Sequence, residues 1–293
     1  MLPFDKKEAI RLFVRTVAKS HIAICENLIA WGFFMKIPEL DEVPYGSRGT
    51  IGLIVVANNP TPLPDFYRMM PPGVLVLETR IHFEPVVTVE STSKLSALLS
   101  EAASVLAEYK KIDVISFTCT AGSLIRGPGY DKEEIKLMEK ASRGVPSTTT
   151  TTSSLNAMRF LGWKKIGIAG PYIEEVNQKF KEFYVGEEFD VTTVKGVGIL
   201  KMEDLAAAPP AEAYRNAKSA YSPDVDGIFI ACTTFRAIDV IERLERDLAK
   251  PVITANQATA WECLRLLGIN EPIDGYGELL KKVPRTNFKG SPR

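Results

Sequence analysis

Histidine is nearly missing from this chain: 293 residues contain two, His21 and His82, far apart. Cysteine is also scarce, with Cys25, Cys119, Cys232 and Cys263, and no two of them form a Cys-x-x-Cys pair. These counts argue against a structural zinc site and against a disulfide framework. Neither charge is in excess, since 36 Lys and Arg balance 36 Asp and Glu. Nucleic acid and an anionic membrane therefore lack an electrostatic basis as partners. Long apolar runs are lacking too. The most apolar N-terminal stretch, Ile22 to Ile37, is interrupted by Glu26 and stopped by Pro38, which leaves it too short and too polar to span a bilayer. Acids and bases run through the first residues and no small-residue cleavage site follows, unlike a secretory signal, so a cytoplasmic location is expected. Neither a GxxxxGK[ST] phosphate loop nor a GxGxxG fingerprint occurs. The absences together point to chemistry carried by side chains alone, without cofactor or metal.

What is present is an ordinary globular composition, 45% apolar and 25% charged, in a chain long enough for one large core or two small ones. Residues 3–36 place Ile10, Phe13, Val14, Val17, Ile24 and Leu28 at roughly helical spacing, which predicts a helical N-terminal extension. After a linker, apolar strands at Thr50–Ala57, Gly73–Ile81, Ile112–Cys119, Lys164–Gly170 and Asp226–Cys232 alternate with amphipathic helices. That alternation predicts a parallel α/β architecture. The threonine run Val145–Thr152 reads as a further strand, because threonine is β-branched, with Ser153 and Ser154 capping the helix that follows.

The chain also repeats itself. "IDVISFTCT" (Ile112–Thr120) and "VDGIFIACT" (Val225–Thr233) share the Asp, an Ile two residues on, the Cys and the Thr, at an offset of 232 − 119 = 113 residues. "IGLIV" at Ile51 answers "IGIAG" at Ile166, and "MRFLGW" ending at Trp163 answers "LRLLGI" ending at Ile269. Three matched elements in the same order predict two pseudo-symmetric parallel-sheet α/β lobes, 49–163 and 164–255, with 256–283 packing back on the first and 1–48 outside both.

Ligands of such lobes gather beyond the carboxyl ends of the strands, where Cys119 and Cys232 both fall. A lone cysteine after an apolar strand is most often a small core residue; duplication of Cys-Thr at matched strand ends favours function. Backbone N–H groups of the following turns favour negative charge there, which predicts a lowered thiol pKa. The same groups, with Thr120 and Thr233, can hold a carboxylate or enolate oxygen. Cys25 and Cys263 lie inside helical patterns and read as core. Three functions stay open: on these residues an isomerase or racemase with two opposed thiols or a two-lobed small-molecule binding protein, and, on the resemblance that follows, a decarboxylase using Cys232 alone.

From about Gly49 to Leu280, the opening "IGLIVVANNPTPLPDFYRMMPPGV", the "FTCTAGS" turn, "GPYIEEVN" and "ACTTFRAIDVIERLERDLAKPVITANQATAWECLRLLGI" resemble the aspartate/glutamate racemase superfamily, in its maleate cis-trans isomerase and arylmalonate decarboxylase branch. The resemblance implies a cofactor-independent enzyme acting on a small carboxylate or dicarboxylate, with homo-oligomer formation left open. It carries the catalytic roles to Cys119 and Cys232; the decarboxylases have Gly at the first of these positions, so two thiols imply isomerase or racemase chemistry. It carries carboxylate binding to Asn59, Thr120, the backbone at Ala121, Tyr172 and Thr233. Thr234 stands where the glutamate racemases have His, and Pro60 and Leu63 depart from the isomerase pattern. Glu203 and Asp204 fall where the isomerases show Asp-Asn. Asp204 in the cleft would set like charge against a second carboxylate and disfavour maleate.

Overall fold

The computed structural model describes residues 45–282. The expected helical extension over 1–48 lies outside them, apart from a turn at 45–48. The first lobe runs β1 (Gly49–Val56), α1 (Pro62–Met69), β2 (Val74–Ile81), α2 (Val89–Ser93), a 3-10 turn at Leu95–Leu98, α3 (Leu99–Leu106), β3 (Val114–Phe117), α4 (Thr120–Leu124), α5 (Tyr130–Ala141), β4 (Ser147–Thr149) and α6 (Thr150–Phe160). The second runs β5 (Lys165–Gly170), α7 (Glu174–Gly186), β6 (Asp190–Gly196), α8 (Met202–Ala207), α9 (Pro210–Ser219), β7 (Gly227–Ile230), a 3-10 turn at Ile238–Val240, α10 (Ile241–Leu248), β8 (Val252–Thr254), α11 (Ala255–Leu266) and α12 (Gly277–Lys281).

Each lobe holds one parallel four-stranded sheet, in the orders β2-β1-β3-β4 and β6-β5-β7-β8. The orders match strand for strand, and the sequence repeats fall on equivalent elements: β1 with β5, β3 with β7, and α6 with α11. All eight residues of β1 and all four of β3 and of β7 are buried. This is why they read as unbroken apolar runs; helices cover both faces of a parallel sheet. α10 shows the complementary pattern, burying Ile241, Leu244 and Leu248 while its Arg and Glu side chains face out. At Gly227 a Cβ would sit 2.1 Å from the Trp163 ring, so the indole of the turn before β5 packs directly on β7 backbone.

The threonine run departs from expectation. Only Ser147–Thr149 is strand; the helix starts at Thr150, and Thr149 caps it, its hydroxyl accepting from Thr152 N–H. Ser153 and Ser154 lie inside the helix and donate back to the Thr149 and Thr151 carbonyls. The β-branched preference lost to a cap one turn earlier. The equivalent Thr254 caps α11 in a full capping box with Gln257. The two capped helices pack together between the lobes, where Thr259 Oγ1 donates to Thr150 Oγ1 at 3.1 Å and Asn156 donates to Glu262 at 2.9 Å. Among the described residues no helix is long and apolar enough to cross a membrane.

Candidate active site

β3 and β7 deliver their cysteines at their carboxyl ends. Thr118 N–H still bonds the Ile54 carbonyl and Ala231 N–H the Ala169 carbonyl, so each sulfur follows the last sheet contact by one residue. The two then diverge. Cys119 has extended backbone, φ −150°, and starts α4 directly. Cys232 has φ +85°, in the left-handed region that a residue with a Cβ rarely adopts. Such a conformation costs on the order of 1–3 kcal/mol and persists only where its surroundings impose it.

Both thiols line one cleft, together with Thr120, Ala121, Tyr172 and Thr233. Six of the eight residues expected in the site are thus brought together. Thr234 and Thr92 join them on the polar side, and Val56, Phe83, Val87, Met202 and Leu205 form an apolar wall. That wall was not read from the sequence, because its members come from three separate segments and each looks like ordinary core. Over the cleft the lobes are tied by a short antiparallel bridge between Val86 and Lys201, with Val87 N–H on the Leu200 carbonyl and Met202 N–H on the Pro85 carbonyl, each at 2.9 Å. The enclosed cavity is about 20 Å³, the room of one water.

Asn59 stands one side chain behind the cleft. Its amide donates to Thr233 Oγ1 at 3.0 Å and its oxygen accepts from Thr61 N–H, while Thr233 Oγ1 donates to the Thr118 carbonyl. Asn59 therefore fixes the hydroxyl of a lining residue. Asp204 is a correction to the sequence reading. Helical spacing turns Met202 and Leu205 of α8 into the cleft and leaves Asp204 exposed on the other side. Arg236 is exposed as well, and among the described residues no Lys or Arg lines the cleft.

The thiols also depart from expectation in their ionisation. Burial pushes Cys119 up to about 12, opposed by the Gly122 N–H aimed at the sulfur and reinforced by the charges of Cys232 and Glu134. Cys119 keeps a little accessible surface, on the narrow cleft that it lines. Burial raises Cys232 too, yet four donors oppose it: the Tyr172 hydroxyl, the Thr234 and Phe235 N–H groups and the Thr234 hydroxyl. Desolvation in a closed cleft outweighs the turn dipoles that the sequence reading relied on. Tyr172 itself is buried, its ring 4.9 Å from Phe180, and burial beside the two thiols holds its phenol well above the usual range. Thr120 Oγ1 is buried beside that phenol and steadies its ionised form, so a hydroxyl and a phenol stand together in the cleft where a substrate oxygen can bind.

An α/β pair of lobes with two thiols on one narrow cleft, hydroxyls on one side and an apolar wall on the other, defines a cysteine-based site. The chain belongs to the arylmalonate decarboxylase family, whose model matches residues 84–280. The arylmalonate decarboxylase of Bordetella bronchiseptica is 32% identical over 169 residues, 57% of this chain and 70% of that protein. The maleate isomerase of Pseudomonas putida S16 with maleate superposes with a TM-score of 0.76 over 80% of this chain and 98% of its own, at 22% identity. Nocardia farcinica maleate cis-trans isomerase, in a variant carrying a covalently bound succinylcysteine intermediate, gives 0.75 over 80% and 98% at 20% identity. The named relatives are enzymes.

Proposed function

We propose that the chain is a cofactor-independent isomerase or racemase of a small carboxylic acid with an apolar body. The observation that carries this is the pair of thiols on one cleft, each at the end of an equivalent strand and each with donors to hold an oxyanion. In the racemase form a Cys232 thiolate takes the α-proton from one face, and the electron pair moves into the carboxyl group to give an enediolate. Its two oxygens are held by Thr120, Thr233, Tyr172 and the N–H groups of the cysteine turns. The Cys119 thiol then returns a proton to the opposite face, leaving the protons exchanged between the sulfurs. In the cis-trans form one thiolate adds to an alkene carbon and the other thiol protonates its neighbour; bond rotation and elimination follow.

The apolar wall narrows the substrate. One carboxylate fits the hydroxyl and N–H end, but a second would be desolvated against Met202 and Leu205 with no cation to pair it, at a cost of several kcal/mol. For a malonate, the same desolvation favours loss of CO2 followed by protonation from Cys232. The 32% identity to a decarboxylase makes this the second reading. The cleft is narrow, with a cavity of about 20 Å³, so the roof at 83–89 and 198–205 is expected to part on binding an organic acid.

Proton NMR in deuterated water with a panel of 2-substituted monocarboxylates, maleate and 2-substituted malonates tests the proposal. α-Proton exchange with loss of optical activity, or conversion of maleate to fumarate, supports it. Turnover confined to malonates, with one deuterium incorporated and stereochemistry retained, replaces it by the decarboxylase.

A further inference from the structure

Why Cys232 holds a left-handed conformation is answered by the contacts of the two residues after it. The Thr233 carbonyl accepts from Asn256 Nδ2 at 2.9 Å, and the Thr234 carbonyl accepts from Thr61 Oγ1 at 3.0 Å. The second hydrogen of Asn256 Nδ2 goes to Asp65 Oδ2 at 2.7 Å. Both partners of that nitrogen are acceptors, which fixes the orientation of the amide, and Asn256 Oδ1 is left without a partner. Asn256 is 2% exposed and Asp65 7%. Neither lines the cleft, so neither touches a ligand there.

We propose that Asn256, held by Asp65, is the positioning residue of the Cys232 turn: it bridges the Asp65 carboxylate and the Thr233 carbonyl, and so aims the Thr234 and Phe235 N–H groups at the Cys232 sulfur. The two N–H groups belong to peptide units whose neighbouring carbonyls are pinned, one from α11 and one from the β1–α1 connection. Pinning a carbonyl fixes the plane of its peptide and hence the direction of the N–H on the far side. Without the amide, the left-handed residue loses the contact that offsets its strain and the turn relaxes.

The device carries a pH response. Burial raises Asp65 to about 6, against the Asn256 hydrogen bond. The charged groups facing it are Arg68 on its own helix, and Arg236 and Asp239 after the cysteine turn; Asp239 is itself paired with Arg68 at 2.7 Å. Above about 6 the carboxylate holds the amide by a charge-assisted bond. Below it, a neutral acid accepts more weakly and the turn loosens.

The inference rests on Cys232 being the functional thiol of the proposed enzyme, but its test uses no substrate. The probe is iodoacetamide on the full chain, with alkylation followed peptide by peptide. Cys119 shares the cleft and its roof, and serves as internal control. Asn256→Ala lowers the Cys232 rate relative to Cys119 about tenfold at pH 8, the loss of roughly one charge-assisted hydrogen bond. Thr61→Val, a milder change, lowers the same ratio in the same direction. In the parent, the fall of the Cys232 rate with pH steepens below about 6; in Asp65→Asn it keeps a single slope. An unchanged Cys232-to-Cys119 ratio in both Asn256→Ala and Thr61→Val overturns the proposal, as does steepening that persists in Asp65→Asn. Absence of turnover on every carboxylate, with this reactivity pattern intact, would count against the proposed function alone.

Discussion

Glu134 is the sharpest place to perturb this structure, because it is a fully buried carboxyl with no salt-bridge partner among the described residues. It lies on α5 facing inward; Ser96 Oγ donates to one oxygen at 2.6 Å and the other oxygen has no partner. Burial, with the Asp131 charge one turn away, pushes its pKa up to about 8 against the Ser96 hydrogen bond and the distant Arg126. Below pH 4.5 the carboxyl is protonated in folded and unfolded chains alike, and nothing is lost. Between 4.5 and 8 the folded state keeps a proton that the unfolded chain releases, so stability falls as pH rises; above 8 both forms are ionised and the loss is complete. A pKa unit is worth about 1.4 kcal/mol, so the difference of 8 − 4.5 = 3.5 gives roughly 5 kcal/mol. Glu134→Gln stays neutral throughout and keeps an oxygen for Ser96, but buries an amide N–H₂ without a partner, a pH-independent cost of about 1–3 kcal/mol. The variant is therefore expected to be slightly less stable than the parent near pH 5 and several kcal/mol more stable by pH 8.5. Urea titrations of both proteins across that range measure it. Glu245, also raised by burial, acts in both proteins and cancels in the difference. A difference that does not change between pH 5 and 8.5 refutes the reasoning.

Cys232→Ala is expected to abolish turnover under any of the enzymatic readings, whereas Cys119→Ala does so only for two-thiol chemistry; isotope exchange in deuterated water separates the cases, and full activity in the Cys119 variant removes the racemase. Tyr172→Phe keeps the ring packing on Phe180 but deletes one hydrogen bond to the thiolate, about 1.5–3 kcal/mol for a charged acceptor, so the apparent pKa of Cys232 alkylation rises by roughly 1–2 units. Gly227→Ala drives a Cβ to 2.1 Å from the Trp163 ring and is expected to lower stability by about 1–3 kcal/mol through overpacking, with partial recovery in a Gly227→Ala, Trp163→Leu pair measured by thermal unfolding.

The fold was legible in the sequence because its signals are local. β1, β3 and β7 are buried on both faces and show it as continuous apolar runs, and the cysteine repeat lies on equivalent strands. The threonine run misled because capping and strand preference compete over the same residues, and Thr149 decides by accepting from Thr152 N–H. The site was legible where residues adjoin the cysteines, as Thr120, Ala121 and Thr233 do, and at Tyr172 through the family resemblance. Asp204 was misplaced because the rotation of a six-residue helix decides which of Met202, Asp204 and Leu205 faces the cleft, and a loosely matched sequence does not fix that rotation. Asn256 and Asp65 are 191 residues apart, and nothing in either neighbourhood indicates their contact.

The repeat predicts two equivalent thiols, and the structure makes them unequal in a way that sets a starting protonation state for the two-face proton chemistry we propose. Proton transfer from one face and to the other needs one thiolate and one thiol at the outset. Two identical buried thiols would share that single charge and leave the direction of the first step undetermined. Here the matched strands end alike in Cys-Thr, but Ala-Gly-Ser follows the first and Thr-Phe-Arg the second. The small residues let α4 begin at once, and Cys119 receives one N–H, from Gly122. After Cys232 no helix begins until Ile238; the Phe235 N–H reaches back to the Cys232 carbonyl at 3.3 Å, and the left-handed residue gathers two N–H groups and two hydroxyls about its sulfur. Each donor favours the charged form, and the charge on Cys232 in turn raises Cys119. The first proton therefore leaves Cys232, and its leaving keeps the proton on Cys119. Broken symmetry at a single φ angle thus assigns base and acid within a pair that the sequence presents as copies.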